Sequence, residues 1–270
     1  MPEMEPHSVL PKMIGETITT HCPKPPDSVL YPRRNWIIIE KLSEHPSPVT
    51  PEDFHDGMGL AYTAGKYLCR LAGAGNAHIL GFIRIYKQIP LAGTELDSSS
   101  VRKAQASKPY NHVELDALKH LTENGCTATP ALLGYRIDKQ DANDLVPGGY
   151  IMYLVWEKVL GDPLDIDMFW SLPYNERKSI RDKFKEAYSK VLSFGYQPIL
   201  ASPSKIILDT IVGDVKISGF SRAARIPQNT QWKDYNFVMF LLVLNSSTRD
   251  KYHPVMAEDI KYEEKTGWRW

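Results

Sequence analysis

The sequence predicts an α+β fold in two lobes, and three observations carry that expectation. Strand-like apolar runs and amphipathic stretches occur in the order strands, helix, strands, long helix, hairpin, terminal helix, rather than in the alternation of a βαβ chain. The chain has 270 residues, enough for one large or one two-lobed domain. Its composition, 43% hydrophobic and 24% charged, is that of an ordinary globular protein.

Ten of the 20 prolines fall within the first 51 residues. Proline fixes φ and removes a backbone donor, so residues 1–54 are expected to form a proline-rich N-terminal extension, wrapped on a lobe or partly disordered. Only Asn35-Trp36-Ile37-Ile38-Ile39-Glu40 is apolar and β-branched enough there to dock or pair. Tyr67-Leu68-Cys69-Arg70-Leu71 then reads as a strand, Ala72 to Ala77 as a glycine-containing turn, and His78 to Ile89 as a second strand. A loop from Pro90 to Tyr110 precedes a helix from His112 to Glu123. Its residues Val113, Ala117, Leu118 and Leu121 recur at helical spacing, and Gly125 is placed to end it. Ala131 to Ile137 and the almost continuously apolar Tyr150 to Trp156 read as strands.

Ser171 and Pro173 open a long helix with a stripe of Ile180, Phe184, Ala187, Tyr188 and Val191. Its other face, Arg177, Lys178, Arg181, Lys185 and Lys190, reads as solvated surface. Lys205 to Asp209 and Asp214 to Ser218 read as a hairpin turning at Gly213-Asp214, and Asp234 to Asn245 as one further apolar helix.

Lys plus Arg and Asp plus Glu are both 32, so the formal net charge is zero. Nonspecific binding to phosphate backbones relies on surplus cations, and no nucleic-acid partner is expected. The longest purely apolar run, Phe237 to Leu244, is far shorter than the roughly 20 residues of a membrane-spanning helix, and residues 1–20 carry no signal-peptide core. Cys22, Cys69 and Cys126 are odd in number and widely spaced, which fits a reducing, cytoplasmic setting without disulfides.

Two short motifs fail their structural context. Gly73-Ala74-Gly75-Asn76-Ala77-His78 lacks the third glycine of a dinucleotide fingerprint and leads into a strand, so it reads as a hairpin turn or a flap over a ligand. Gly219-Phe220-Ser221-Arg222-Ala223 is similar to a nucleophile elbow without its last glycine. Asp234, Asp250 and His253 lie downstream in the required order, but no parallel sheet precedes them. No His, Cys or carboxylate cluster has metal-ligand spacing.

The ordered larger blocks are more informative. Phe82-Ile83-Arg84-Ile85-Tyr86, Glu114-Leu115-Asp116-Ala117-Leu118, Leu154 to Leu164, Pro203 to Asp209 and Val215 to Ser221 resemble, in sequence order, five features of the protein-kinase-like fold. The resemblance spans about Tyr67 to Ala224 and is to a divergent group of fungal kinase-like proteins. It implies a two-lobed fold with residues 1–54 as the N-terminal extension, 55–156 as a sheet-plus-helix N-lobe, and 157–270 as a shortened, mainly helical C-lobe. It places Arg84 at the position of the ATP-anchoring lysine and Glu114 at that of its helix partner. Trp156 falls at the gatekeeper position, and Glu157 to Val159 at the hinge.

The departures from that pattern concern the chemistry. Leu200 takes the catalytic aspartate position, Pro198 the accompanying histidine, Lys205 the magnesium-binding asparagine and Gly219 the Asp-Phe-Gly aspartate. Phosphoryl transfer needs metal ions held by side-chain oxygens and an aspartate to receive the substrate proton. Leu200, Lys205 and Gly219 supply none of these. Only 51 residues follow Gly219, without an Ala-Pro-Glu segment.

The resemblance with these departures implies a kinase-shaped module without phosphotransfer. It is expected to need no metal or cofactor, and to bind a small apolar metabolite or a protein partner through Trp156, Glu157, Val159, Leu200, Gly219 and Phe220. The alternative is a cofactor-independent cyclase, isomerase or dehydratase of fungal secondary metabolism. Its candidate catalytic residues are Glu114 as acid or base, Arg84 and Lys205 for developing negative charge, and His112.

Overall fold

The computed structural model describes residues 8–21, 31–110, 112–245 and 267–270. Prolines 23, 25 and 26, Cys22, Asp250 and His253 lie outside the described residues. The chain divides into two compact units, residues 1–111 with 132–158, and residues 112–131 with 159–270. The secondary structure is α+β, and every strand pairing described is antiparallel.

The first unit is a six-stranded sheet of β1 (Thr17–Thr20), β2 (Arg34–Ser47), β3 (Tyr62–Leu71), β4 (Leu80–Gln88), β5 (Leu132–Lys139) and β6 (Tyr150–Glu157), in the order β1-β2-β3-β4-β6-β5. Period-two alternation puts Tyr67, Cys69, Ile83, Ile85, Tyr153 and Val155 on one face. Leu10, Ile18, Trp36 and Ile38 complete that core. The segment around residue 10 is tied down by Glu44, which accepts from the Leu10 amide at 3.0 Å and from Thr63 Oγ1 at 2.8 Å, while Tyr67 donates to the Pro11 carbonyl at 2.9 Å. Burial pushes the Glu44 carboxyl up, but its bonds from Lys41, Thr63, the Leu10 amide and Ser8 outweigh this and hold it below the ordinary carboxylate range.

This sheet corrects the expectation for the proline-rich segment, because residues 34–47 form its longest strand. Trp36 and Ile38 bury their side chains in the core. Pro46 is tolerated because β1 pairs only with Arg34 to Ile37, which leaves β2 an edge strand where the proline lies. The periodicity does not show two short helices: α1 (Pro51–His55), before β3 and capped by Thr50, and α2 (Ser99–Ala104), in the loop after β4 and capped by the Ser98 hydroxyl.

The second unit begins with α3 (Val113–Glu123), which the sequence expectation grouped with the first lobe. It falls in the second because its apolar face packs on the 3₁₀ turn Phe220–Arg222 and on β11 (Ala223–Arg225). Gly125, at φ +74°, follows its end as expected. β7 (Asp162–Pro163), β9 (Ile206–Leu208) and β10 (Val215–Ile217) form a small sheet, and β8 (Tyr196–Pro198) pairs with β11.

The long helix expected from Ser171 and Pro173 is α5 (Tyr174–Ser193), with Pro173 at its N-cap, while Ser171 instead ends a separate helix, α4 (Ile166–Ser171). All five residues of the expected α5 stripe are buried, around Phe184. Arg181 is not part of a solvated face: it is 2% exposed. The expected helix over Asp234 to Asn245 is corrected too. Only α6 (Tyr235–Met239) is helical, Leu241 turns the chain at φ +59°, and β12 (Leu244–Asn245) pairs with β13 (Trp268–Arg269). An unbroken apolar run has no helical period, and here Phe240, Leu242, Val243 and Leu244 are all buried.

Candidate functional site

The expected site residues fall into two groups, one in each unit: Arg84, Trp156 and Glu157 in the first, and His112, Glu114, Val159, Leu200, Lys205, Gly219 and Phe220 in the second.

In the first unit the register of β3, β4 and β6 decides which side chains share the sheet face opposite the core. Arg84 stands opposite Lys66 on one side and Leu154 on the other, and Phe82 lies between Leu68 and Trp156. The Lys66 ammonium lies 4.0 Å from the Phe82 ring centroid and 5.9 Å from that of Trp156, and the Arg84 guanidinium is 5.6 Å from the Trp156 ring. The Phe82 and Trp156 rings are 6.0 Å apart. Like charges directly across a ladder repel, and ring faces attract cations by about 0.5–2 kcal/mol, so the aromatic pair compensates the Lys66–Arg84 juxtaposition. Glu157, at the strand end, is exposed. The sequence singles out Arg84 and Trp156 on this face but not Lys66. The missed signal is the alternation of β3 extended N-terminally by one residue.

In the second unit His112 sits at the N-cap of α3, is buried, and makes no side-chain capping bond. Glu114 lies in the first turn and is 3% exposed. Val159 and Phe220 are buried, whereas Leu200 is 52% exposed.

Lys205 and Gly219 are brought together by the β9–β10 hairpin. The Ser218 amide donates to the Lys205 carbonyl at 2.7 Å, and the Ser218 hydroxyl donates to the same oxygen at 3.1 Å. Gly219 has φ +86°, and a Cβ built on it would meet Lys205 Cδ at 2.5 Å and Cε at 2.7 Å. The lysine stem therefore fills the space in which a side chain at 219 would begin. Burial, and then the charge of Arg222, pull the Lys205 amine below the ordinary lysine range. Lys205 and Arg222 repel one another there and would repel a divalent metal placed between them. Among the described residues no group of three or more His, Cys, Asp or Glu side chains is placed to hold a metal ion.

No protein-family model matches the chain, and no curated protein matches it. Among solved structures it is similar to the kinase PK-1 of the Cydia pomonella granulovirus, with 12% sequence identity and a TM-score of 0.43 over 76% of this chain. The match spans 64% of the length of that kinase. No helix of the described residues is long and apolar enough to cross a membrane.

Proposed function

We propose that this chain is a catalytically degenerate kinase-like protein that binds a ligand without transferring phosphoryl groups. The observation that carries this reading is the packing of Lys205 over Gly219. Where the sequence resemblance expects two oxygen ligands for magnesium, a cation lies against a residue whose conformation and surroundings exclude a side chain. Mg²⁺-bound nucleotide has no carboxylate to anchor it there, and the nearby Arg222 adds to the repulsion. The binding half of the proposal rests on the first unit, where Lys66 and Arg84 lie over Phe82 and Trp156. Such a face suits a small ligand with an apolar body and an anionic group. The test is native mass spectrometry of the full chain purified from its host. A copurified small molecule whose occupancy falls in Lys66→Met and Arg84→Met variants supports the proposal, and undiminished occupancy in both contradicts it.

The burial of Glu114 and His112 favours a second reading, cofactor-independent chemistry with Glu114 as acid or base. A Glu114→Gln variant that folds and retains the ligand unconverted would distinguish that enzyme from a binding module, in which the substitution changes no product.

A further inference from the structure

In the first unit a cleft of about 390 Å³ opens at one end of the six-stranded sheet, lined by residues 33–35, residues 71–73 and Asn76. Its place follows from the register of β1, β2 and β3. Trp36 is fully buried in the core and stands opposite Leu71, so Leu71 shares its face. Arg34, two residues from Trp36, lies on that same face, opposite the buried Thr20. The Asn35 carbonyl accepts from the Ala72 amide at 2.8 Å, which continues the ladder and brings Gly73 across from Arg34. Gly73 opens the turn between β3 and β4 at φ +109°. Apart from its chain neighbours, a Cβ there would meet only Asn76 Nδ2, at 3.1 Å. The turn thus leaves open the space in which a β3 side chain would face Arg34.

The charge of this cleft is unbalanced. Arg34 is anchored through Nη1, which donates to the Leu133 carbonyl at 3.1 Å, and among the described residues its other N–H groups carry no bond. Arg33 also lines the cleft and is exposed. Neither arginine has an ion-pair partner among the described residues, and none of the lining residues is acidic. Asn76 Nδ2 donates to the Ala72 carbonyl at 3.1 Å and keeps a second hydrogen for another acceptor.

We propose that this cleft binds a small phosphate monoester. Two guanidiniums without an acidic neighbour balance a dianion, and their planar N–H pairs match the oxygens of a phosphate. The phosphate would take the open space over Gly73, between Arg34 and Asn76, and the ester group would lie against Leu71 and Ala72. The volume admits a one-ring ester. Arg34 stands on the core face at the strand ends, whereas Lys66 and Arg84 stand on the other face, so this site is separate from the ligand face proposed above.

Isothermal titration of the full chain at about pH 8, where a phosphate monoester is a dianion, tests this with phenyl phosphate, phenyl sulfate and inorganic phosphate. Phenyl sulfate carries one charge, so phenyl phosphate is expected to bind about tenfold more tightly. Inorganic phosphate loses the ring contact and is expected to bind about fivefold more weakly than phenyl phosphate. Arg34→Gln is expected to weaken phenyl phosphate about tenfold. Because Arg34 also bonds Leu133, a second variant covers the case in which this one fails to fold. Arg33→Gln, at an exposed position, is expected to weaken phenyl phosphate about fivefold with an unchanged melting temperature. Lys66→Met, on the opposite face, is titrated beside them and is expected to keep the affinity within about twofold. No binding of phenyl phosphate, equal affinity for phenyl sulfate, full affinity in the folded arginine variants, or a loss in Lys66→Met as large as theirs overturns the proposal.

Discussion

In the first unit Lys66 and Arg84 lie over the faces of Phe82 and Trp156, on a sheet whose other side is a closed apolar core. In the second unit Lys205 lies along the backbone at Gly219, beside Arg222 and half-buried. Both units thus gather cations, but by different means. Ring faces attract a cation through the negative potential over the ring. A lysine stem laid on a glycine fills space, and what it excludes is a side chain.

The comparison breaks most sharply at Gly219. Gly219→Ala is expected to cost about 2–3 kcal/mol in urea denaturation, from the left-handed φ and from crowding against Lys205. In a Lys205→Ala background the same substitution should cost only about 1–2 kcal/mol, because the conformational part alone remains. Equal costs in both backgrounds would mean that the lysine stem does not fill this space.

Next in size is the latch on the core side of the first sheet. The Glu44 carboxyl is held below its ordinary value in the folded protein, so the unfolded chain takes up its proton first as pH falls. Its contribution is complete above the unfolded value of about 4.5 and is lost on acidification through the lower folded value. Glu44→Gln is expected to cost about 1–2 kcal/mol at neutral pH and to flatten the acid limb of the melting-temperature profile. A profile as steep as that of the parent protein would contradict the latch.

The smallest effect is expected at Lys66. Lys66→Met should change stability by no more than about 0.5–1 kcal/mol in either direction, because it exchanges a cation–ring attraction for relief of repulsion from Arg84. A larger loss would show that Lys66 holds the sheet together.

Much of the fold is legible where a period exists. The strand-like runs of β4 and β6, the α3 spacing and the α5 stripe all mark elements that the structure contains. The errors fall where period and burial part company. Residues 34–47 contain a proline and bulges that obscure a long strand, and residues 237–244 are apolar on every side and so carry no phase. The candidate site was legible residue by residue, not as contacts. Lys205 and Gly219 are 14 positions apart, and only the hairpin register that returns Ser218 to the Lys205 carbonyl lays one on the other. Arg181 shows the converse: its place in a run of basic residues suggests solvent, whereas the fold buries it between aromatic rings.

The central claim is that the packing of Lys205 over Gly219 leaves no anchor for magnesium-bound nucleotide. It is tested most directly by melting the full chain with saturating ATP in magnesium and in EDTA. The account predicts the same melting temperature in both conditions. A stabilisation by ATP that appears with magnesium and disappears with EDTA would contradict it.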